Sequence, residues 1–272
     1  MAETTEKSKV ADLPSALDCA DEISKRAKTK RTAVFLDYDG TLTPIVERPE
    51  QAVLSDETRQ AVRRLAKQCV VAVVSGRDLK DVRQLVAIDD IFFAGSHGFD
   101  IAGPEDWRLQ NEKGTEFIPD LDRAEGELQR RLDKINGALI ERKKFSIAVH
   151  FRQVEENQVA QVERDVDQVL NEHKRLRKGI GKKVFELQPE IDWHKGKALL
   201  WLLEALGLDG PNVLPIYVGD DVTDEDAFEV LHERGIGVFV KGDEGPRRTA
   251  ARYSLEDADE VRRFLQLLAE SG

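Results

Sequence analysis

Cysteine is nearly absent from this chain: Cys19 and Cys69 are the only two in 272 residues. Two thiols cannot build a disulfide framework or a thiolate metal cluster, and they fit small buried residues in a reducing compartment. Histidine is also scarce. The five present show no HxxxH or HExxH spacing, which argues against a zinc site. Apolar runs are short, and one of the longest, Cys69 to Val74, falls far below the roughly 20 residues of a bilayer-spanning helix. The first ten residues, MAETTEKSKV, are polar and charged, so no secretory leader is expected and the expected location is cytoplasmic, with no membrane partner. Internal repeats and low-complexity tracts are missing too. Basic residues are in deficit, 41 against 52 acidic ones, giving a net charge of −11. That balance argues against a general nucleic-acid binder, although a local basic pocket can still hold a phosphate.

What is present is an alternation of short apolar runs with amphipathic stretches. Residues 14–28 predict a helix starting near Pro14, and 55–67 a second with Ser55 as N-cap. Further helices are expected at 78–87 and 224–233. The runs Ala33–Leu36, Val70–Val74, Ile91–Ala94, Leu214–Val218 and Gly237–Val240 predict strands buried on both faces of a parallel sheet. In such α/β sheets ligands bind beyond the carboxyl ends of the strands. Asp37, Ser75 and Asp220 each follow such an end, so three polar groups distant in sequence should converge on one edge. From about Pro104 to Phe185 the pattern changes: helices near 120–136 and 155–175 flank Phe145–Phe151, whose alternation suits a sheet with one covered face. The charge-rich stretch Glu155 to Lys178 reads as one solvated helix. The expected organisation is an N-terminal helical segment (1–30), a Rossmann-like core (31–103 and 187–272) and an inserted α+β domain (104–186).

The segment Asp37-Tyr38-Asp39-Gly40-Thr41-Leu42-Thr43 carries the chemistry. Two carboxylates two residues apart past a strand can face one site when Gly40 permits the turn. One can attack phosphorus, and the other can protonate the leaving oxygen and then activate water. Like charges this close call for a cation, and hard oxygen ligands suit Mg²⁺. The bland alternative is an acidic pair that caps a turn. Ser75 alone would be a turn residue, Lys195 alone a solvated lysine, and Asp220 to Asp224 a helix N-cap.

Taken together, these strings resemble the haloacid dehalogenase (HAD) superfamily of phosphohydrolases. Asp37–Thr43 is similar to its first motif, Ser75 in Val-Val-Ser-Gly-Arg to the second, Lys195 in His-Lys-Gly-Lys-Ala to the third, and Gly219–Asp224 to the fourth. The resemblance spans about residues 32–255 and implies Asp37 as nucleophile, Asp39 as acid and base, Ser75 and Lys195 holding the phosphoryl group, and Mg²⁺ on Asp37, the Asp39 carbonyl and Asp220, supported by Asp224. The insertion falls between the second and third motifs, where one class of the superfamily carries a cap over the substrate.

Further strings resemble trehalose-6-phosphate phosphatases: Gly95–Asp100, Glu141–Lys143, Val149–Arg152 and Tyr217–Phe228. This implies a sugar phosphate as substrate, with candidate contacts from Gly76, Arg77, Ser96, His97, Gly98, Lys143, His150, Arg152, Glu186 and Asp221. Arg77 has a second reading, steadying the turn after Ser75. His150 and Arg152, on an alternating strand, can face solvent instead. Tyr38 is expected to pack against the cap, and Asp192-Trp193-His194 departs from the compact turn usual before the third-motif lysine. Gly179–Lys183 lacks the spacing of a phosphate-binding loop. Two other readings stand beside hydrolysis of trehalose 6-phosphate. One keeps the mechanism with sucrose, glucosylglycerol or mannosylglycerate phosphate. The other is a silent module that binds a sugar phosphate or a trehalose-phosphate synthase, against which the presence of every catalytic motif counts.

Overall fold

The structure, a computed structural model, describes residues 7–46, 48–181, 183–242 and 247–270. The chain begins with β1 (Ser8–Lys9), α1 (Ala20–Lys28), β2 (Arg31–Leu36), α2 (Asp56–Ala66), β3 (Val70–Val74), α3 (Leu79–Val86), β4 (Phe92–Gly95), β5 (Asp100–Ala102) and β6 (Arg108–Gln110). It continues through α4 (Glu112–Thr115), α5 (Ile118–Leu132), β7 (Leu139–Arg142), β8 (Ile147–His150), α6 (Glu156–Glu172), β9 (Leu176–Gly181) and β10 (Val184–Pro189). It closes with α7 (Lys195–Ala205), β11 (Val213–Gly219), α8 (Glu225–Leu231), β12 (Ile236–Val240), β13 (Arg248–Thr249), β14 (Tyr253–Leu255) and α9 (Ala258–Glu270).

Two compact units emerge, one of residues 1–109 with 193–272, the other of 110–192. Both junctions fall later than 104 and 186: β6 carries the core sheet past Gly103, and β10 carries the second sheet on to Pro189. That sheet has eight strands in the order β14-β12-β11-β2-β3-β4-β5-β6. The pairings from β14 to β4 are parallel, and β5 runs antiparallel to β4. Strand alternation divides its core in two. Val34, Leu36, Val71 and Val73 pack beneath α1, α2, α3 and α9, while Ala33, Phe35, Ala72 and Val74 pack beneath α7 and α8. Continuous apolar strands are what a sheet covered on both faces demands.

Ser55 caps α2 by accepting from the Thr58 N–H at 3.1 Å. The first helix begins at Ala20 rather than near Pro14. The Ser15 hydroxyl accepts from the Leu17 N–H, and the Ala16 N–H donates to the Ser254 carbonyl, so residues 15 and 16 run beside β14.

The second unit is a four-stranded antiparallel sheet, β7-β8-β10-β9. Ile147, Val149, Phe185 and Leu187 bury one face against α5 and α6. The single helix expected from Glu155 to Lys178 stops at Glu172. His173 leaves helical geometry, and Leu176 enters the core as the first residue of β9.

Candidate active site

β2 and β11 are neighbours, and the strand order reverses between them, so the crevice beyond their carboxyl ends is the place where such a sheet binds ligands. Asp37 follows β2 with its N–H donating to the Val218 carbonyl at 2.9 Å. The chain then turns tightly. The N–H groups of Leu42 and Thr43 both donate to the Tyr38 carbonyl. Gly40 sits at φ +86°, and a Cβ there would collide with the Asp220 carboxylate, so glycine is required both for the conformation and for the approach. Thr41 Oγ1 donates to Asp220 Oδ1 at 3.2 Å, tying the first motif to the fourth.

Lys195 opens α7 and is buried. Its Nζ donates to Asp37 Oδ1 at 2.6 Å and to Asp224 Oδ1 at 2.7 Å. Asp224 also accepts from the Tyr217 hydroxyl and from the N–H groups of Asp220 and Asp221. Burial opposes the charge on Lys195, but Asp224 and Asp37 outweigh it and hold the ammonium well above its ordinary pKa. Burial likewise opposes ionisation of Asp224. Lys195, Tyr217 and the Asp221 N–H overcome it, and the carboxyl is held below the usual range. For Asp37 burial wins: with Asp224 and Asp220 adding repulsion against the pull of Lys195, its carboxyl is pushed well above that range.

Carboxylate oxygens of Asp37, Asp220 and Asp224 lie within 4.8 Å of one another, all three residues buried. Three acids against one ammonium leave negative charge that a hard divalent cation would neutralise, and the donor set is all oxygen. The site therefore fits a cation such as Mg²⁺. Asp224 already accepts four hydrogen bonds, and through them it orients Lys195 and the turn between Asp220 and Asp221.

The other carboxylate of the first motif is held differently. Arg77 donates from Nε and Nη2 to the two oxygens of Asp39, both at 2.7 Å, and from Nη1 to Asp81 at 3.0 Å. Its guanidinium carbon lies 5.4 Å from the centre of the Tyr38 ring. Tyr38 is fully buried in the core with its hydroxyl donating to the Ala52 carbonyl, so the expectation that it packs against the inserted domain is corrected.

Ser75 follows β3, and its hydroxyl accepts from the Arg77 N–H at 3.1 Å. The loop after β4 closes on this turn: the His97 N–H donates to the Ser75 carbonyl and the Ser96 N–H to the Arg77 carbonyl. Ser96, His97 and Gly98 all take positive φ, and Ser96 Oγ donates to Asp78 Oδ1 at 2.8 Å. The His97 ring lies over Gly76, within 2.8 Å of where a Cβ would stand.

A family model described as Trehalose-phosphatase matches residues 35–259. The chain is 44% identical to "Probable trehalose-phosphate phosphatase D" of Arabidopsis thaliana, over 96% of this chain and 73% of that protein. It is also 44% identical to "Trehalose 6-phosphate phosphatase RA3" of Zea mays, over 94% and 74%. The chain belongs to the trehalose-phosphatase family. It is accordingly a phosphoric monoester hydrolase of the HAD fold. A solved C. albicans trehalose-6-phosphate phosphatase C-terminal domain shares that fold, with a TM-score of 0.79 at 22% identity, covering 95% of this chain and 98% of the other. Among the described residues no helix is long and apolar enough to cross a membrane.

In this trehalose-phosphatase-family enzyme, Asp37, Asp39, Ser75, Gly76, Arg77, Ser96, His97, Gly98, Lys195, Asp220, Asp221 and Asp224 all belong to the core unit. Asp221 N-caps the short turn Val222–Asp224, its carboxylate accepting from the Val222 N–H. His194 is the residue before α7, with Nδ1 3.5 Å from Asp226 Oδ2. Lys143, His150, Arg152 and Glu186 belong to the second unit. There Lys143 Nζ and Ser146 Oγ both donate to Glu186 Oε1, at 3.3 and 2.7 Å, and His150 Nε2 lies 2.8 Å from Glu141 Oε2. By register, Glu141, Ala148, His150 and Glu186 share the sheet face opposite the buried one. Arg152 is exposed in the turn after β8. Sequence reasoning missed Thr41 and Tyr217. The signal for Tyr217 was a hydroxyl inside an otherwise apolar, wholly buried strand.

Proposed function

We propose that this enzyme hydrolyses trehalose 6-phosphate to trehalose and inorganic phosphate with Mg²⁺ through an aspartyl-phosphate on Asp37. The observation that carries the mechanism is the buried Lys195 bridging Asp37 and Asp224, at a strand end shared with Ser75 and Asp220. The substrate reading rests on relatives named for it at 44% identity over most of the chain.

An Asp37 carboxylate oxygen forms a bond to phosphorus as the bond from phosphorus to the sugar oxygen breaks, and Asp39 gives that oxygen its proton. Asp39 then takes a proton from water, whose oxygen attacks the same phosphorus and releases Asp37 and phosphate. Lys195 and the Ser75 hydroxyl hold charge on the phosphoryl oxygens. Asp37, Asp220 and the Asp39 carbonyl would hold the cation, which when bound offsets phosphoryl charge. Lys143, His150, Arg152 and Glu186 are assigned to the sugar hydroxyls, with His97 and Gly98. Polar groups of this kind discriminate strongly among hydroxyl patterns.

The test is phosphate release from trehalose 6-phosphate, compared with sucrose, glucosylglycerol and mannosylglycerate phosphates, with Mg²⁺ and with chelator. The highest kcat/KM is expected on trehalose 6-phosphate with Mg²⁺ only, and a higher value on another sugar phosphate would transfer the assignment to it. Asp37→Asn is expected to abolish turnover and acid-stable labelling of the protein by phosphate, while full activity in that variant would remove the nucleophile assignment.

A further inference from the structure

At the sheet edge opposite the catalytic acids, the first residues of β2, β3 and β4 open on a cavity of about 610 Å³. Four cations line it: Lys28, Lys30, Arg31 and Lys67. All four are exposed, and Asp90 is the one acid of the lining. None of the four makes an ion pair among the described residues, in a chain whose net charge is −11. The lining also holds the apolar Leu65, Val71, Phe92 and Leu268, beside the polar Thr32 and Gln68. Cys69 adds to it as a neutral thiol, its pKa pushed up to about 12 by burial.

Helix ends account for part of the charge. Lys28 closes α1 and Lys67 is the C-cap of α2, where exposed carbonyls favour cations. Lys30 and Arg31 lie beyond both helix ends and lead into β2, so that explanation leaves their convergence open. Cations and apolar side chains in one lining match a ligand with a flat ring at one end and several negative charges at the other. The volume suits a small molecule, since such sites span roughly 300–1,000 Å³. A sugar phosphate would leave the apolar side chains uncovered, and a purely apolar ligand would leave the cations unpaired.

We propose that this cavity binds a nucleoside di- or triphosphate, its base against the apolar side chains that include Phe92 and its phosphates among Lys30, Arg31 and Lys67. The site is separate from the catalytic one. β2 carries Arg31 at the cavity and leads to Asp37 at its other end, six residues later in the chain, roughly 20 Å at a strand's rise per residue.

Calorimetric titration of the full chain with ADP tests this, in chelator so that the unneutralised acids Asp37, Asp220 and Asp224 repel nucleotide from the catalytic crevice. ADP is expected to bind, to weaken as salt rises, and to bind at least about tenfold more tightly than adenosine or pyrophosphate alone. Lys30→Glu/Lys67→Glu is expected to weaken ADP at least about tenfold while its melting temperature stays within a few degrees, both side chains being exposed surface groups. Arg31→Gln, a milder change, must weaken ADP as well. Failure of ADP to bind, equal binding of pyrophosphate or adenosine, or unchanged affinity in a folded variant would each overturn the proposal. None of these outcomes depends on the phosphatase assay.

Discussion

Arg77 holds two acids at once, and its hold on Asp39 bears directly on the proposed chemistry. A bidentate guanidinium fixes the plane of a carboxylate and occupies both of its oxygens. As a general acid, Asp39 must free one oxygen to carry the proton, and Asp81 stands ready as a second acceptor for the guanidinium. Arg77 is therefore a positioning residue for Asp39 in this reading, and the sugar contact expected of it is the less direct use. Arg77→Met is expected to lower kcat on the sugar phosphate by about 10–100-fold, less than the roughly 10²–10⁴-fold of losing the acid–base group itself, because Asp39 remains. On p-nitrophenyl phosphate, whose leaving group departs without a proton, the loss should be several-fold at most. An equal loss on both substrates would show that Arg77 acts on phosphate binding or on the Ser75 turn instead. The pairing was not legible in the sequence, because a guanidinium's choice between solvent, substrate and a carboxylate 38 residues away is made by tertiary distance. Asp224 is a related case. Its string read either as a cap or as a metal acid, and the structure has one oxygen accept from the backbone of the turn while the other accepts from Lys195 and Tyr217.

Elements were legible where burial dictates composition. β2, β3, β11 and β12 are nearly continuous apolar runs, and since they are parallel, the residues after their ends were bound to meet on one edge. The short edge strands β5 and β6, three residues each, carry too little pattern to be read. β9 was hidden because Leu176 is the lone core residue in a stretch rich in charge. The loop after β4 shows how an element can be specified by approach rather than by periodicity. Gly98 has φ +88°, and a Cβ on it would run into the Ala198 side chain of α7, the helix that presents Lys195. Gly98→Ala is expected to destabilise the protein by about 2–4 kcal/mol in urea titration, combining left-handed strain with overpacking against α7. It should also reduce activity beyond the loss of folded fraction, because Ser96 and His97 are held by the same loop. A loss under about 0.5 kcal/mol, the size of an ordinary surface change, would mean that the loop yields and that its close packing on α7 is not required.

For the molecule as a whole, the proposed cation site among the buried acids would make folding, metal binding and protonation one linked equilibrium. Asp37 is held well above the usual carboxyl range, chiefly by burial, with Asp224 and Asp220 adding repulsion. Between the usual value and that raised one, the metal-free native state binds a proton that the unfolded chain does not. This contribution to stability is therefore present at low pH and is lost as pH rises through the window. A divalent cation takes only the carboxylate form, so it displaces that proton on binding. Its apparent affinity should rise with pH through the same window, by at most about tenfold per pH unit for one proton released. Since a ligand of the native state stabilises in proportion to the logarithm of one plus the ratio of its concentration to its dissociation constant, the rise in Tm produced by a fixed Mg²⁺ concentration should grow with pH and then level off. Taking the difference between Tm with Mg²⁺ and Tm with chelator at each pH cancels the titration of the remaining carboxylates. In Asp37→Asn this difference should be small and should no longer depend on pH through that window. A difference that is flat with pH in the unsubstituted protein would mean that the cation does not displace a proton from Asp37, and would remove that residue from the ligand set.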